Sequence, residues 1–556
     1  MSKSVSYVCG TSDQPLIYQT IGDAFDQAVE QWGDKEAVVV RHQDIRWSYR
    51  ELGEAVDAFA AGLLALDLQP GDRVGIWSPN NIEWLISQFA TARAGLILVN
   101  INPAYRKAEL GYTLTKVACK ALILASEFKS SDYIGMLNDI APGIEKSGNG
   151  SLNLAELPDL RSLIVISEKP VAGMIRFNDI AAMAPVDAGE QLRSRARASQ
   201  PDDAINIQFT SGTTGLPKGA TLTHFNVLNN GYFSGQAMAL SSQDCLCIPV
   251  PLYHCFGMVL GVLACVTHGA SMVFPSEAFE PGAVLEAVSE ERCTALHGVP
   301  TMFIAVLEHP DFKTFDLSKL RTGIMAGAPC PIEVMRKVIS EMNMGEVTIA
   351  YGMTETSPVS FQSATNDPLE KRVATVGRIH PHVQVKVIDE QGAVVPRGVS
   401  GELCTRGYSV MLGYWGDKEQ TDESIDAAGW LHTGDLAVID DEDYCDIVGR
   451  VKDMIIRGGE NVYPREIEEY LFQHPKIQQV AVFGVPNERF GEAVVAWVKL
   501  REGESLDVEE IRNYCNEQIA YYKVPKHIFI VDEFPMTVTG KIQKFIMRKK
   551  TIEELS

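Results

Sequence analysis

The sequence predicts an α/β protein: a large N-terminal domain of parallel α/β sheets with a small antiparallel β subdomain, followed by a small, mobile α+β C-terminal domain. Three observations predict it. Strand-length apolar runs alternate with helix-period segments through the first two-thirds of the chain, the pattern of parallel sheets covered on both faces. From about Gly377 the runs become short and alternating, as antiparallel strands do. After Gly449 a new set of strands and helices begins, of a size that folds as its own unit.

The elements follow in order. "DRVGIW" reads as a strand, and "NIEWLISQFATARAG" as a helix with Ile82, Leu85, Ile86 and Phe89 on one stripe and Gly95 at its end. "LILVN", "KALILAS", "SLIVIS", "ASMVFP" and "LRTGIMAGA" continue as buried strands. "VQVKVID" alternates, "EQGAVV" turns, and "GELCTRG" and "LAVIDDEDYCDIVG" read as antiparallel strands, with "DDEDY" only a hairpin turn. The last unit carries the strand "DMIIR", a helix from Pro464, strands "VAVFGV" and "AVVAWVKL", a helix near "DVEEIRNYCNEQI" and the strand "HIFIV". The expected division is therefore 1–449, including a β subdomain at about 377–449, and 450–556.

Composition narrows the partners. The formal charge is −23, which repels nucleic acid and anionic lipid at long range, so any polyanion must be held by local cations and backbone N–H groups. The eleven cysteines are scattered without a CxxC, so their spacing suggests neither a zinc nor a redox motif, and reduced thiols in a cytoplasmic setting are expected. The N-terminus lacks a signal-type apolar core, and the longest apolar run, "MVLGVLACV", is well short of the ~18 residues a bilayer span needs. No stable membrane insertion is expected; a homodimer is left open.

Four segments carry chemistry. "TSGTTGLPKG" is rich in glycine and hydroxyls: Thr210, Ser211, Gly212, Thr213, Thr214, Gly215 and Lys218 suit a phosphate cradle. It is not a P-loop, because Pro217 stands where the second glycine belongs and Gly219 follows Lys218. The loop is expected between an apolar strand and a helix starting near His224. "YGMTETSP" offers the flat ring of Tyr351, the hydroxyl of Thr354 and the hard oxygen ligand Glu355 for Mg²⁺. Asp435 closes a tight turn where its carboxylate suits ribose hydroxyls, and Arg450 suits the same ribose or a phosphate. Taken alone, each is equally a plain polar loop. Lys541, in "FPMTVTGKIQK", gains weight only from this company.

In order, "FTSGTTGLPKGATLTH", "PLYHCFG", "MAGAPCP", "YGMTETSP", "HTGDL", "IVGRVKDMIIRGGENVYPREIE" and "TGKIQK" resemble the adenylate-forming superfamily of acyl-CoA synthetases, luciferases and peptide-synthetase adenylation domains. The resemblance spans residues 17–549. Its closest branch is the medium-chain acyl-CoA synthetases, on "PGDRVGIWSPNNIEWLISQFATARAGLILVNINPAYR". It implies a ligase that uses ATP, Mg²⁺ and coenzyme A on a fatty acid, or alternatively on an aryl or other acid, or delivers to a separate carrier protein. A luciferase-like activity shares the motifs, whereas an inactive nucleotide sensor should have lost Lys541, Glu355 or Asp435.

By that resemblance the glycine loop wraps the β- and γ-phosphates, Thr354 meets the α-phosphate, and Glu355 holds the metal. Tyr351, Gly352 and Met353 face the nucleotide, with Gly327, Ala328 and Pro329 on the other side of adenine. Asp435 and Arg450 hold ribose, and Lys541 bridges the reacting carboxylate and α-phosphate. His254, Gly327, Gly352, Pro358 and Val359 line the acyl pocket. Acetate-specific relatives carry tryptophan at the position of Gly352, so glycine implies an open pocket. Lys452 is the implied hinge, Gly458 and Gly459 flank the pantetheine tunnel, and Arg457 meets a coenzyme A phosphate.

Overall fold

The computed structural model describes residues 4–146, 152–210, 217–328, 330–457, 460–487, 489–516, 518–537 and 540–555. The continuously apolar strands form the centres of two large sheets, because a strand buried on both faces has no polar side to show. In the first, Ser162–Ile166, Ala121–Ala125, Arg73–Trp77, Ile97–Asn100 and Ala204–Thr210 run parallel. In the second, Glu346–Gly352, Thr322–Ala326, Ala295–Leu296, Cys245–Cys247, Ser271–Phe274 and Glu36–Val40 do the same. Antiparallel strands close the edges: Lys218–Thr223 and Gly413–Tyr414 on the first, Val359–Gln362, Arg378–Ile379 and Ile45–Ser48 on the second.

Helices Ile21–Trp32, Tyr49–Leu63 and Ile82–Arg93 share one apolar core with both sheets, joining Val74 and Ile76 of the first to Val38 and Leu246 of the second. Capping boxes at Thr20 and Ser48 fix where the first two of these helices begin. The apolar run "MVLGVLACV" is buried inside this core, mostly as a π-helix, Phe256–Leu263. Among the described residues no helix is long and apolar enough to cross a membrane.

One sequence expectation is corrected. The strand before the glycine loop is not followed directly by a helix; it turns back as Lys218–Thr223, with Thr210 opposite Lys218, and only then does helix His224–Ala237 start. "KGATLT" was not read as a strand, although its residues from Gly219 onward are all buried.

The antiparallel subdomain orders Tyr7–Cys9, Val383–Ile388, Gly401–Gly407, Leu431–Ile439 and Cys445–Arg450. Its first strand comes from the N-terminus, a pairing that sequence-local reading misses. The final sheet joins Ile455–Arg457, Glu460–Val462, Ile477–Asn487, Gly491–Leu500 and His527–Ile530 around its own core. It docks through Arg465, which pairs with Asp446 at 2.8 Å, and through Arg501, which pairs with Glu308 at 2.5 Å.

Gly377 leads into Arg378–Ile379, the last strand of the second large sheet before the subdomain. Its φ is +83°, and an added Cβ would fall 2.1 Å from the Ser363 nitrogen. Gly377→Ala should therefore cost about 1–3 kcal/mol and lower the thermal unfolding midpoint by about 1–3 °C. An unchanged melting curve would contradict this reading of the joint.

Candidate active site

The site forms where four segments meet. Strands Thr322–Ala326 and Glu346–Gly352 are parallel neighbours, with Ala326 opposite Ala350, so Gly327 and Tyr351 emerge side by side at their carboxyl ends. Ligands of open α/β sheets bind at such ends. The hairpin after Ala204–Thr210 brings Thr210 and Lys218, the antiparallel subdomain brings Asp435 and Arg450, and the final domain brings Lys541.

Glu355 and Thr354 sit in a buried turn after the second sheet, 6% and 9% exposed. Tyr414 donates its hydroxyl to Glu355 Oε1 at 2.9 Å, and Thr210 donates to the same oxygen at 3.5 Å. Lys218 Nζ lies 5.0 Å from the centre of the Tyr414 ring. Burial, with the Glu355 carboxylate second, pushes the Tyr414 phenol well above its usual value, so it stays a donor. Tyr414 was missed in the sequence because "GYWGD" carries no phosphate-binding signature.

Asp435 and Arg450 are register partners on adjacent strands, with Arg450 Nε 3.2 Å from Asp435 Oδ1. The positive φ of Gly434, +69°, makes the turn that presents Asp435. Tyr351 donates to Asp435 Oδ2 at 2.6 Å, so the ring and the carboxylate hold each other in place. Burial raises the Asp435 pKa, against the lowering effect of Arg450.

Lys541 reaches this cluster because Gly540 lies flat against helix Pro300–Leu307. Thr301 donates to the Gly540 carbonyl at 3.3 Å. A Cβ on Gly327 would sit 3.6 Å from Lys541 Cε, so glycine there leaves room for the lysine stem. Burial lowers the Lys541 pKa, and Arg450 lowers it further; Cys255, Glu355 and Asp435 oppose this. Burial and Arg450 thus work against the ammonium, while Glu355 and Asp435 favour it.

Behind Thr354 runs a buried polar chain. Cys255 donates to Gln208 Oε1 at 3.0 Å and lies 3.7 Å from Thr354 Oγ1. Gln208 donates to Asn206 Oδ1 at 2.8 Å, and Asn206 to Asn100 Oδ1 at 2.9 Å. His254 accepts the Phe256 N–H on Nδ1 at 3.1 Å. Burial, then the nearby Lys541 ammonium, push His254 down to about 3, so its ring is neutral at working pH.

The other predicted residues fall as follows. Val359 is buried, its backbone pinned by Asn230 through bonds of 2.8 and 2.9 Å, and Pro358 is buried beside it. Met353 donates its N–H to the Pro358 carbonyl at 2.9 Å, and Ala328 continues the Gly327 turn. Gly352 has a backbone reason to be glycine: a Cβ would meet the Pro358 oxygen at 1.7 Å, where the strand pairing shifts register. Arg457 donates to the carbonyls of Tyr522 (2.7 Å) and Val524 (3.2 Å), on the far side of its own domain's sheet start. Lys452 lies in the exposed turn between Cys445–Arg450 and Ile455–Arg457. Ser211, Gly212, Thr213, Thr214, Gly215, Pro329, Gly458 and Gly459 lie outside the described residues.

The chain matches known proteins over nearly its whole length. The family model for AMP-binding enzymes matches residues 25–415, and that for the AMP-binding enzyme C-terminal domain matches 466–541. The mitochondrial medium-chain acyl-CoA ligase ACSF2 of Danio rerio is 46% identical over 556 residues, covering 99% of this chain and 91% of its own. The crystal structure of the anthranilate CoA ligase AuaEII with anthranoyl-AMP superposes with a TM-score of 0.87 at 27% identity, covering 98% of this chain and 99% of that one. ATP-bound MatB from Rhodopseudomonas palustris gives 0.81 at 29%, covering 96% and 100%.

The seat of Lys541 can be tested by itself. In Gly540→Ala the new Cβ would lie 2.9 Å from Thr301 Oγ1, at a φ of +76°. The loss of about 1–2 kcal/mol of docking should raise the undocked fraction about tenfold. Limited proteolysis of the connection at 451–454 should quicken to match; an unchanged cleavage rate would contradict the seat.

Proposed function

Because the chain belongs to the AMP-binding enzyme family, we propose that it is a medium-chain fatty acid–CoA ligase that works in two half-reactions at this one site. It is an AMP-forming acid–thiol ligase that uses ATP and coenzyme A. The chemistry explains the parts. A carboxylate resists attack because a nucleophile must add charge to an anion. In the first half-reaction a carboxylate oxygen attacks the α-phosphate in line and pyrophosphate leaves, with catalysis resting on position and charge stabilisation. In the second, the coenzyme A thiol attacks the acyl carbon and AMP leaves.

The observation that carries the proposal is Lys541, whose stem passes beside Gly327 and whose charge Glu355 and Asp435 favour. There its ammonium suits the charge that builds between carboxylate and α-phosphate. Thr354 is assigned to the α-phosphate, and the loop that begins at Thr210, with Lys218, to the departing pyrophosphate. Tyr351, Gly352 and Met353, opposite Gly327, Ala328 and Pro329, are assigned to adenine, and Asp435 and Arg450 to ribose. The buried Glu355 carboxylate, already turned toward two hydroxyls, is a hard oxygen donor of the kind Mg²⁺ takes. When bound, that ion would neutralise phosphate charge.

The acyl chain is assigned to the space beside His254, Pro358 and Val359. His254 is neutral there, and a neutral ring suits a wall better than an acid. The identity to a medium-chain ligase over almost the whole chain supports the aliphatic substrate over an aryl one. We divide the chain at 449/450, with Lys452 as the hinge and the segment from Arg457 to Gly459 as the part brought to coenzyme A in the second half-reaction. Eleven free cysteines support a reducing, cytoplasmic setting.

Pyrophosphate release across straight-chain acids from two to sixteen carbons and aryl acids, with and without coenzyme A, tests the reading. A peak at medium length is expected, and a peak on aryl acids would overturn the substrate assignment. Lys541→Ala should lower adenylate formation at least ~100-fold while sparing thioester formation from supplied acyl adenylate. Equal loss in both halves would sink the division of labour.

A further inference from the structure

Outside the nucleotide site, three metal-ligating side chains converge on the antiparallel subdomain. Glu402 and Cys404 stand two residues apart on strand Gly401–Gly407, hence on one face. The neighbouring strand Leu431–Ile439 places His432 directly opposite Cys404. His432 Nδ1 lies 3.1 Å from Glu402 Oε2 and 3.6 Å from Cys404 Sγ. Among the described residues this is the one group of His, Cys and acidic side chains that could hold a metal ion, with one ligand atom from each within 4.8 Å of the others.

We propose that Glu402, Cys404 and His432 bind a divalent cation of the zinc class. Tetrahedral zinc, with bonds of ~2.3 Å to sulfur and ~2.0–2.2 Å to nitrogen and oxygen, sets N···S at about 3.5 Å and N···O at about 3.4 Å. The observed spacings need only a small side-chain adjustment to match. Thiolate and imidazole with one carboxylate favour zinc over magnesium or calcium, which separates this site from Glu355.

The surroundings fit the same reading. Gly434 donates its N–H to Glu402 Oε1 at 3.2 Å, which orients the carboxylate. Asp426 Oδ2 lies 4.0 Å from His432 Nε2, so a small closure would let it accept a hydrogen bond from Nε2–H when Nδ1 carries the metal. The Glu402 and His432 side chains are 27% and 33% exposed, which gives the ion an entry path, while Cys404 is buried behind them. Water would fill the fourth position.

The step is ligand exchange without redox change. The thiol proton passes to buffer, the ring proton moves from Nδ1 to Nε2 through solvent, and thiolate, imidazole and carboxylate each give an electron pair.

The site bears on the nucleotide turn. Glu402 holds both His432 and Gly434, and Asp435 follows at once; the strand pairing shifts register here. An ion would replace the direct contact of His432 with Glu402 Oε2 while Oε1 keeps the Gly434 N–H, which couples the site to this turn. Resting on the assignment of Asp435 to ribose, occupancy should change the KM for ATP.

The test uses full-length protein stripped with chelator. Zinc is titrated by calorimetry, and cobalt(II) by absorbance for a thiolate-to-cobalt charge-transfer band. One ion per chain is expected, with the band lost in Cys404→Ser and affinity at least ~10-fold weaker in His432→Gln. Circular dichroism melts check that both variants fold. Absence of binding, or a band that persists in Cys404→Ser, would overturn the site. Binding without a change in KM for ATP would overturn its link to the turn while leaving the site in place, because neither binding readout uses catalysis.

Discussion

An ammonium group taken out of water beside an arginine is unstable unless something compensates for it, and the Lys541 side chain is held in that condition. Burial and Arg450 work against its charge; Glu355 and Asp435 work for it. The two acids come from different units of the fold, one from the turn after the second large sheet and the other from the antiparallel subdomain. The lysine itself arrives on a third. The charges that act on Lys541 thus come from units far apart in the sequence.

The same constraint orders the surroundings. The Gly540 carbonyl must lie flat on helix Pro300–Leu307, and Gly327 must leave room for the lysine stem. Tyr351 and Asp435 fix one another by a short hydrogen bond, so the ring and the carboxylate share one position. His254 stays neutral because burial and the ammonium both oppose its protonation. A chain of net charge −23 thus gathers Lys541, Arg450 and Lys218 around one site, which is local focusing against an unfavourable whole.

Much of this was legible in the sequence, for physical reasons. Continuous apolar strands such as "KALILAS" could only be buried on both faces, and Gly95 ended its helix side with a positive φ of 69°. Residue types also marked Glu355, Asp435 and the glycine loop as sites, although Lys541 gained meaning only from its neighbours. What escaped was non-local. The strand Lys218–Thr223 pairs back across the glycine loop, and Tyr7–Cys9 pairs with residues 384–386, far along the chain. Tyr414 reaches Glu355 across 59 residues. Glycine at 352, read as an open pocket, also answers to the Pro358 carbonyl against it. The cysteine spacing suggested no metal, yet Cys404 meets His432 through strand register, which no spacing rule along the chain can see.

At the centre of this account is a carboxylate oxygen that attacks the α-phosphate beside Lys541 and leaves the site in AMP. The most direct measurement is the fate of that atom. A medium-chain acid labelled with oxygen-18 in its carboxylate should, over one turnover with ATP and coenzyme A, deliver a single label to AMP and none to pyrophosphate. Label in a phosphate other than that of AMP, or unlabelled AMP beside completed thioester, would contradict it.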